Sequence, residues 1–221
     1  MNPTYIAFEG IDGSGKSSIA KLFSEKLLSG GTQNIVVREP GGTKVGEGVR
    51  NLLLSHEYHV SPLTEALLFS SQRSQLITEI VKPALDDGVS VITDRCAYSS
   101  VAYQGVGRDL GYEKIYQLND IAINSFWPER VVLLDINPEI ALARQEVADR
   151  IGSDKLEFFT SVREGYLRIA EEFENKFLII NAEEEIEEIL KQTCHWLGVE
   201  KLKSKIINRS FKPFPCLSNI F

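Results

Sequence analysis

Cysteine is scarce in this chain. Cys96, Cys194 and Cys216 are the only three among 221 residues, lie far apart and lack metal-ligand spacing. That excludes a disulfide framework and a cysteine metal site, and it reads as free thiols in a reducing compartment. Long apolar runs are missing too, whereas a membrane helix needs about 20 such residues. No secretory leader precedes "TYIAFEG", which begins like a strand at Thr4, so the expected location is the cytoplasm. Positive charge is in deficit, with 24 Lys and Arg against 31 Asp and Glu and a net charge of −7. A general nucleic-acid surface is thereby excluded, and any polyanionic ligand must meet local positive charge inside a site. Internal repeats and domain linkers are also lacking. Hydrophobic residues nevertheless make up 43% of the chain, enough for the core of one α/β domain of this length.

What is present alternates. "YIAF" (5–8), "NIVVR" (34–38), "VSVIT" (89–93), "RVVLLD" (130–135) and "FLII" (177–180) are β-branched-rich and nearly continuous in apolar character. Strands covered on both faces read this way. Helical patterns run from Gly15 to Leu28, Thr43 to Leu54, Pro62 to Leu85, Glu113 to Asn124, Pro138 to Val147, Leu156 to Phe173 and Glu183 to Leu197. In the third of these, Leu63, Ala66, Leu67, Ser70, Ile77 and Val81 share one face at 100° per residue. The alternation predicts an α/β fold, a parallel sheet of about five strands with helices on both faces and a ligand at the strands' carboxyl ends.

"FEGIDGSGKSSIA" (8–20) supplies the chemistry. Gly10, Gly15, Lys16 and Ser17 stand in the spacing G-x-x-x-x-G-K-[ST], after a strand and at the opening of a helix. Residues Gly10, Ile11, Asp12, Gly13, Ser14, Gly15, Lys16, Ser17 and Ser18 therefore form a P-loop, and the fold is the three-layer αβα arrangement of P-loop NTPases. Backbone N–H groups and the positive end of the helix dipole face the phosphates of ATP. Lys16 reaches the β- and γ-phosphates, and the Ser17 hydroxyl is a ligand for Mg²⁺. A magnesium-associated carboxylate should end a nearby strand. Asp94 and Asp135 both qualify, and Asp94 is preferred because Arg95 and a polar cluster follow it.

A GTPase switch would need an N-K-x-D guanine reader, and the Asn175-Lys176 pair runs into Phe-Leu instead. Nothing marks a water-aiming residue or a partner surface of an assembly ATPase. A phosphotransferase must hold a second anion in line with the γ-phosphate, and it works mainly by positioning and charge neutralisation. Arg38, Arg50, Arg73 and Arg95 lie at strand ends or in the helices that follow, as that task requires. Phe69 and Arg73, four apart on the long helix, can stack on a nucleobase and bond its edge.

Taken together, "YIAFEGIDGSGKSS", "REPGGT" (38–43), "VRNLLL" (49–54), "EALLFSSQRSQL" (65–76), "DRCAYSSVAYQG" (94–105), "LDINPEIALAR" (134–144) and "DRIGSDKLEFF" (149–159) resemble the thymidylate kinase family. The resemblance implies transfer of the γ-phosphate of ATP to dTMP with Mg²⁺, in a homodimer. It places Asp12 near the dTMP 3′-hydroxyl, Arg50 and Arg95 on the dTMP phosphate, Phe69 and Arg73 on thymine, and Tyr103 against the sugar's 2′ position. Ser99, Ser100 and Gln104 match positions around base and phosphate, and Arg38, Glu39 and Pro40 form the loop behind the monophosphate. The P-loop holds no arginine, so the resemblance assigns the γ-phosphate cation to Arg150 in a lid at about 144–156, with Arg144 just before it. Lys16, Arg95 and Arg150 are the expected catalytic residues. Cys96 and Gly152 depart from the family pattern, where an aromatic ring and an acid are usual. The resemblance implies one kinase domain over 1–200, and the basic extension 201–221 has no assigned role. The alternatives are a kinase for another nucleoside monophosphate and a P-loop switch or assembly ATPase.

Overall fold

A computed structural model describes residues 2–144 and 156–199. Five strands, β1 (Tyr5–Glu9), β2 (Asn34–Arg38), β3 (Ser90–Asp94), β4 (Arg130–Asp135) and β5 (Phe177–Asn181), form one parallel sheet in the order β2-β3-β1-β4-β5. Each lies within a residue of the expected stretch. Burial on both faces explains the apolar runs of the inner strands, where β1 is buried throughout and β3 and β4 nearly so. The edge strands β2 and β5 are only partly covered, with Val36 and Ile179 each 47% exposed. The period of two then assigns sides. Phe8 meets Phe23 below the sheet at 5.8 Å between ring centroids. Tyr5, on the opposite face, stacks on Phe126 at 5.9 Å. Glu9 shares that opposite face, which puts a carboxylate under the helices that follow β3.

The helices are α1 (Lys16–Ser29), α2 (Lys44–Leu54), α3 (Pro62–Leu76), α4 (Lys82–Asp86), α5 (Ala97–Ser100), α6 (Tyr112–Ile123), α7 (Pro138–Ala143), α8 (Leu156–Glu172) and α9 (Ile186–Trp196). Thr43 caps α2 by accepting from Gly46 N, and Ser61 caps α3 by accepting from Thr64 N. A π-helical turn, Ile77–Val81, joins α3 to α4, so the long helix expected from Pro62 is continuous in course. Helices α1 and α9 cover one face of the sheet; α3 to α6 and α8 cover the other.

Three features differ from the sequence reading. Residues 97–107 are helical: α5 passes directly into a π-helical turn, Val101–Gly107. Paired serines and two glycines give this stretch little intrinsic helix preference, and packing against α8 decides it. Gly165 on α8 lets that packing happen, because a Cβ there would lie 3.1 Å from Val106 Cγ2 and 3.2 Å from Ala102 Cα. Second, α7 stops at Ala143, with Arg144 in a turn; the lid residues 145–155 and the extension 201–221 lie outside the described residues. Third, Ala66, Ser70, Ile77 and Val81 are buried as expected, but Leu63 and Leu67 are about half exposed, at 51% and 49%.

Candidate active site

The P-loop leaves β1 at its carboxyl end and turns into α1. Gly13 closes it against α7: its φ is 87°, and a Cβ there would lie 2.2 Å from the Ala141 carbonyl oxygen. Any larger residue would push the loop off the helix. Lys16 is buried and folds back over the loop, donating to the Ile11 carbonyl at 3.3 Å and standing 3.7 Å from Asp12 Oδ1. Burial first, and then Arg95, pulls its ammonium below the ordinary lysine value. A polyphosphate laid on the loop would favour the charged form again.

Ser17 Oγ donates to Asp94 Oδ2 at 2.5 Å. The other oxygen, Asp94 Oδ1, is buried with no hydrogen-bond partner among the described residues. Such an oxygen is costly to leave unpaired. An orphaned carboxylate oxygen beside a hydroxyl is a hard-oxygen donor set that fits Mg²⁺. Among the described residues no cluster of three or more His, Cys, Asp or Glu forms a cage of its own. An ion here would therefore draw its remaining ligands from phosphates and water. Asp135, the other carboxylate considered, is taken: Arg163 grips it with two bonds of 2.6 and 2.8 Å.

A cavity of about 250 Å³ opens in front of Lys16 and Ser17. Asp12, Arg38, Glu39, Pro40, Arg50, Phe69, Asp94, Arg95, Ser99, Ser100, Tyr103 and Gln104 line it, all singled out from sequence, and so does Leu54. Helical spacing explains how four residues of one short segment reach it. Ser99 and Tyr103, like Ser100 and Gln104, are four residues apart and so share a face of the continuous helix.

Arg95 ties this lining together. Its φ of 74° is left-handed, an uncommon conformation for a residue with a side chain. The surroundings hold it there. Arg95 N donates to Phe8 O at 3.0 Å, Thr93 Oγ1 donates to Arg95 O at 2.6 Å, and the next amide, Cys96 N, donates to Glu9 Oε1 at 2.8 Å. The guanidinium then reaches Asp12 at 2.6 Å and the hydroxyls of Ser99, Tyr103 and Tyr166 at 3.1, 3.2 and 3.3 Å. Burial would raise the Asp12 carboxyl, but Arg95 and Lys16 outweigh it and hold the group well below the usual carboxylate range.

Other predicted residues take different places. Arg50 lines the cavity with one nitrogen on the Pro40 carbonyl at 2.8 Å. Arg38 Nη2 donates to both carboxylate oxygens of Glu47, at 3.0 Å each. Arg73 does not line the cavity. It is 1% exposed and sits behind the wall, bonded to Glu39 at 2.6 Å, Ser100 at 3.0 Å, Asn119 at 2.5 Å and the Cys96 carbonyl at 3.2 Å. Arg144 also lies off it, donating to the Ala182 carbonyl at 3.1 Å. Arg150 lies outside the described residues.

Sequence reasoning missed Glu9 and Tyr166. Glu9 is fully buried and accepts from Cys96 N, Cys96 Sγ, Ser99 N, Ser99 Oγ and the Tyr166 hydroxyl, all within 3.1 Å. The available signal was a carboxylate closing an otherwise apolar strand. Cys96 is a free, buried thiol whose burial and Glu9 neighbour push its ionisation well above the ordinary value, so it packs and donates rather than reacts.

Lys16 and Ser17 of the P-loop thus face one cavity with Arg38, Arg50 and Arg95, an arrangement that fits a P-loop phosphotransferase acting between nucleotides. The thymidylate kinase family model matches residues 8–193. A protein named thymidylate kinase from Caldanaerobacter subterraneus subsp. tengcongensis is 45% identical over 214 residues, 96% of this chain and 98% of its own length. Those of Fervidobacterium nodosum and Lactobacillus acidophilus are 44% and 40% identical, covering 85% and 93% of this chain and 95% and 96% of their own lengths. The chain belongs to the thymidylate kinase family, and it is an ATP-dependent nucleoside monophosphate kinase that phosphorylates dTMP.

Proposed function

We propose that the cavity joins the two substrates in line, so that a dTMP phosphate oxygen attacks the γ-phosphorus of ATP as its bond to the ADP oxygen breaks. Supporting this is the convergence of Lys16, Asp94, Arg50 and Arg95 on one cavity with Phe69 in its wall. Lys16 and the loop amides hold the β- and γ-phosphates, while Arg50 and Arg95 fix the acceptor phosphate. Ser17 and Asp94 would hold Mg²⁺, which neutralises charge on the donor phosphates when bound. No strong base is needed, because the acceptor phosphate is already an anion near neutral pH. Asp12 and Tyr103 would meet the sugar at its 3′ and 2′ positions. On the ATP side the family resemblance assigns the γ-phosphate cation to Arg150, with Arg144 beside it.

Residues 1–200 are read as one kinase domain. Half-exposed Leu63 and Leu67 on α3, with Ile121 on α6 at 80% exposure, support pairing of two copies through these helices. A cytoplasmic location accords with the buried free thiols Cys96 and Cys194. Among the described residues no helix is long and apolar enough to cross a membrane.

Binding of dTMP and thymidine to wild type and Arg50→Ala tests the acceptor assignment, since the ligands differ only by the phosphate. Arg50→Ala is expected to bring dTMP affinity toward that of thymidine and leave thymidine binding unchanged. Equal weakening of both would remove Arg50 from the phosphate.

A further inference from the structure

Gln104 lines the cavity, yet its residue is only 1% exposed, so little more than one face of its amide meets a ligand. Which end of the amide that is depends on what lies behind it. Gln104 Nε2 donates to Glu65 Oε1 at 2.9 Å. Glu65 comes from the first turn of α3, is 1% exposed and does not line the cavity. It is ion-paired with Arg108 at 3.3 Å, and Arg108 is seated over the Phe158 ring at 4.3 Å. An ionised carboxylate offers only acceptors, so it takes the NH₂ end of the amide and rejects the carbonyl end.

We propose that Glu65 is a positioning residue that sets base specificity by locking the Gln104 amide with its Oε1 toward the bound base. Ser100 extends the pattern. Its Oγ accepts from Arg73 at 3.0 Å, which directs the hydroxyl's own hydrogen elsewhere. The cavity wall then presents an acceptor at Gln104 next to a donor at Ser100. A thymine or uracil edge, with N3–H beside a carbonyl, matches that pair. Cytosine carries an unprotonated N3 and would set a lone pair against Oε1. A buried polar group left facing its own kind is the strongest discriminator a binding site can use. The inference rests on dTMP being the acceptor, as proposed above.

The test is kcat/KM for dTMP and dCMP, with ATP, in wild type, Glu65→Gln and Gln104→Leu. A glutamine at 65 keeps the volume and can donate or accept, so the Gln104 amide is free to turn over. The dTMP:dCMP ratio is expected to fall about tenfold or more in Glu65→Gln, with dCMP gaining as dTMP loses. Gln104→Leu removes the acceptor and is expected to lower the ratio as well, mainly through dTMP. It reads the same wall should Glu65→Gln fail to fold. A ratio unchanged in Glu65→Gln, with both substrates falling together, would reduce Glu65 to a packing role. An unchanged ratio in Gln104→Leu would also overturn the proposal. A wild type preferring another acceptor to dTMP would instead overturn the function on which the inference rests.

Discussion

Asp12 and Arg95, 83 positions apart in the chain, meet at 2.6 Å across the mouth of the cavity. The pair ties the P-loop to the strained turn after β3, and a second bond from Arg95 to the Gly10 carbonyl at 3.3 Å reinforces the tie. Tyr103 completes it, donating to Asp12 Oδ2 at 3.1 Å and accepting from Arg95 at 3.2 Å.

This pair has a pH signature. The Asp12 carboxyl lies below its ordinary value of 3.8, so its contribution to stability is present above that pH and fades as pH falls toward its lowered value. Urea unfolding of wild type and Asp12→Asn is expected to show wild type more stable near neutrality, with the gap narrowing below about pH 3.8. A gap independent of pH would mean that the charge on Asp12 is not stabilising.

The two carboxylates at strand ends separate by function. Asp94→Asn is expected to cut kcat and raise the Mg²⁺ concentration needed for half-maximal rate. Asp135→Asn breaks the pair with Arg163, which is partly exposed, and is expected to cost about 1 kcal/mol or less of stability with kcat unchanged. Magnesium titrations of both variants check this, and a shifted requirement in Asp135→Asn would reverse the assignment.

Lys16→Met removes the cation over the loop while keeping its stem. By analogy with loss of one preorganised donor, kcat is expected to fall about 10²–10³-fold at little changed dTMP affinity. A loss confined to KM would place Lys16 in binding alone.

Phe69 packs on the core edge and also lines the cavity. Phe69→Ala is expected to weaken dTMP about 5- to 150-fold, the worth of one base–aromatic stack. Unchanged dTMP affinity with a lowered melting temperature would make Phe69 a core residue only.

Much of this arrangement was legible because its signals are local. The P-loop spacing, the apolar strand runs and the helix start at Pro62 each lie within a few residues, and all fell where expected. Many of the residues that the resemblance singled out line one cavity, and Arg73 and Arg144 do not. What was hidden is non-local. Glu9 and Tyr166 bond across 157 positions, and neither carries a motif that names the other. Phe69 and Arg73 share a helix border by periodicity, yet Arg73 turns behind the wall because Glu39 and Asn119, from β2's exit and α6, supply its acceptors. The helix at 97–107 was missed for the same reason, since α8 rather than local preference holds it. Leu63 and Leu67 obey the periodicity but project where no helix among the described residues covers them.

ADP formation from Mg-ATP with dTMP, dUMP, dCMP, dGMP, AMP, thymidine or no acceptor tests the central claim most directly. The account predicts that dTMP leads the panel and that ADP release without an acceptor is slight. Faster turnover of another acceptor, or ADP release to water alone, would contradict it.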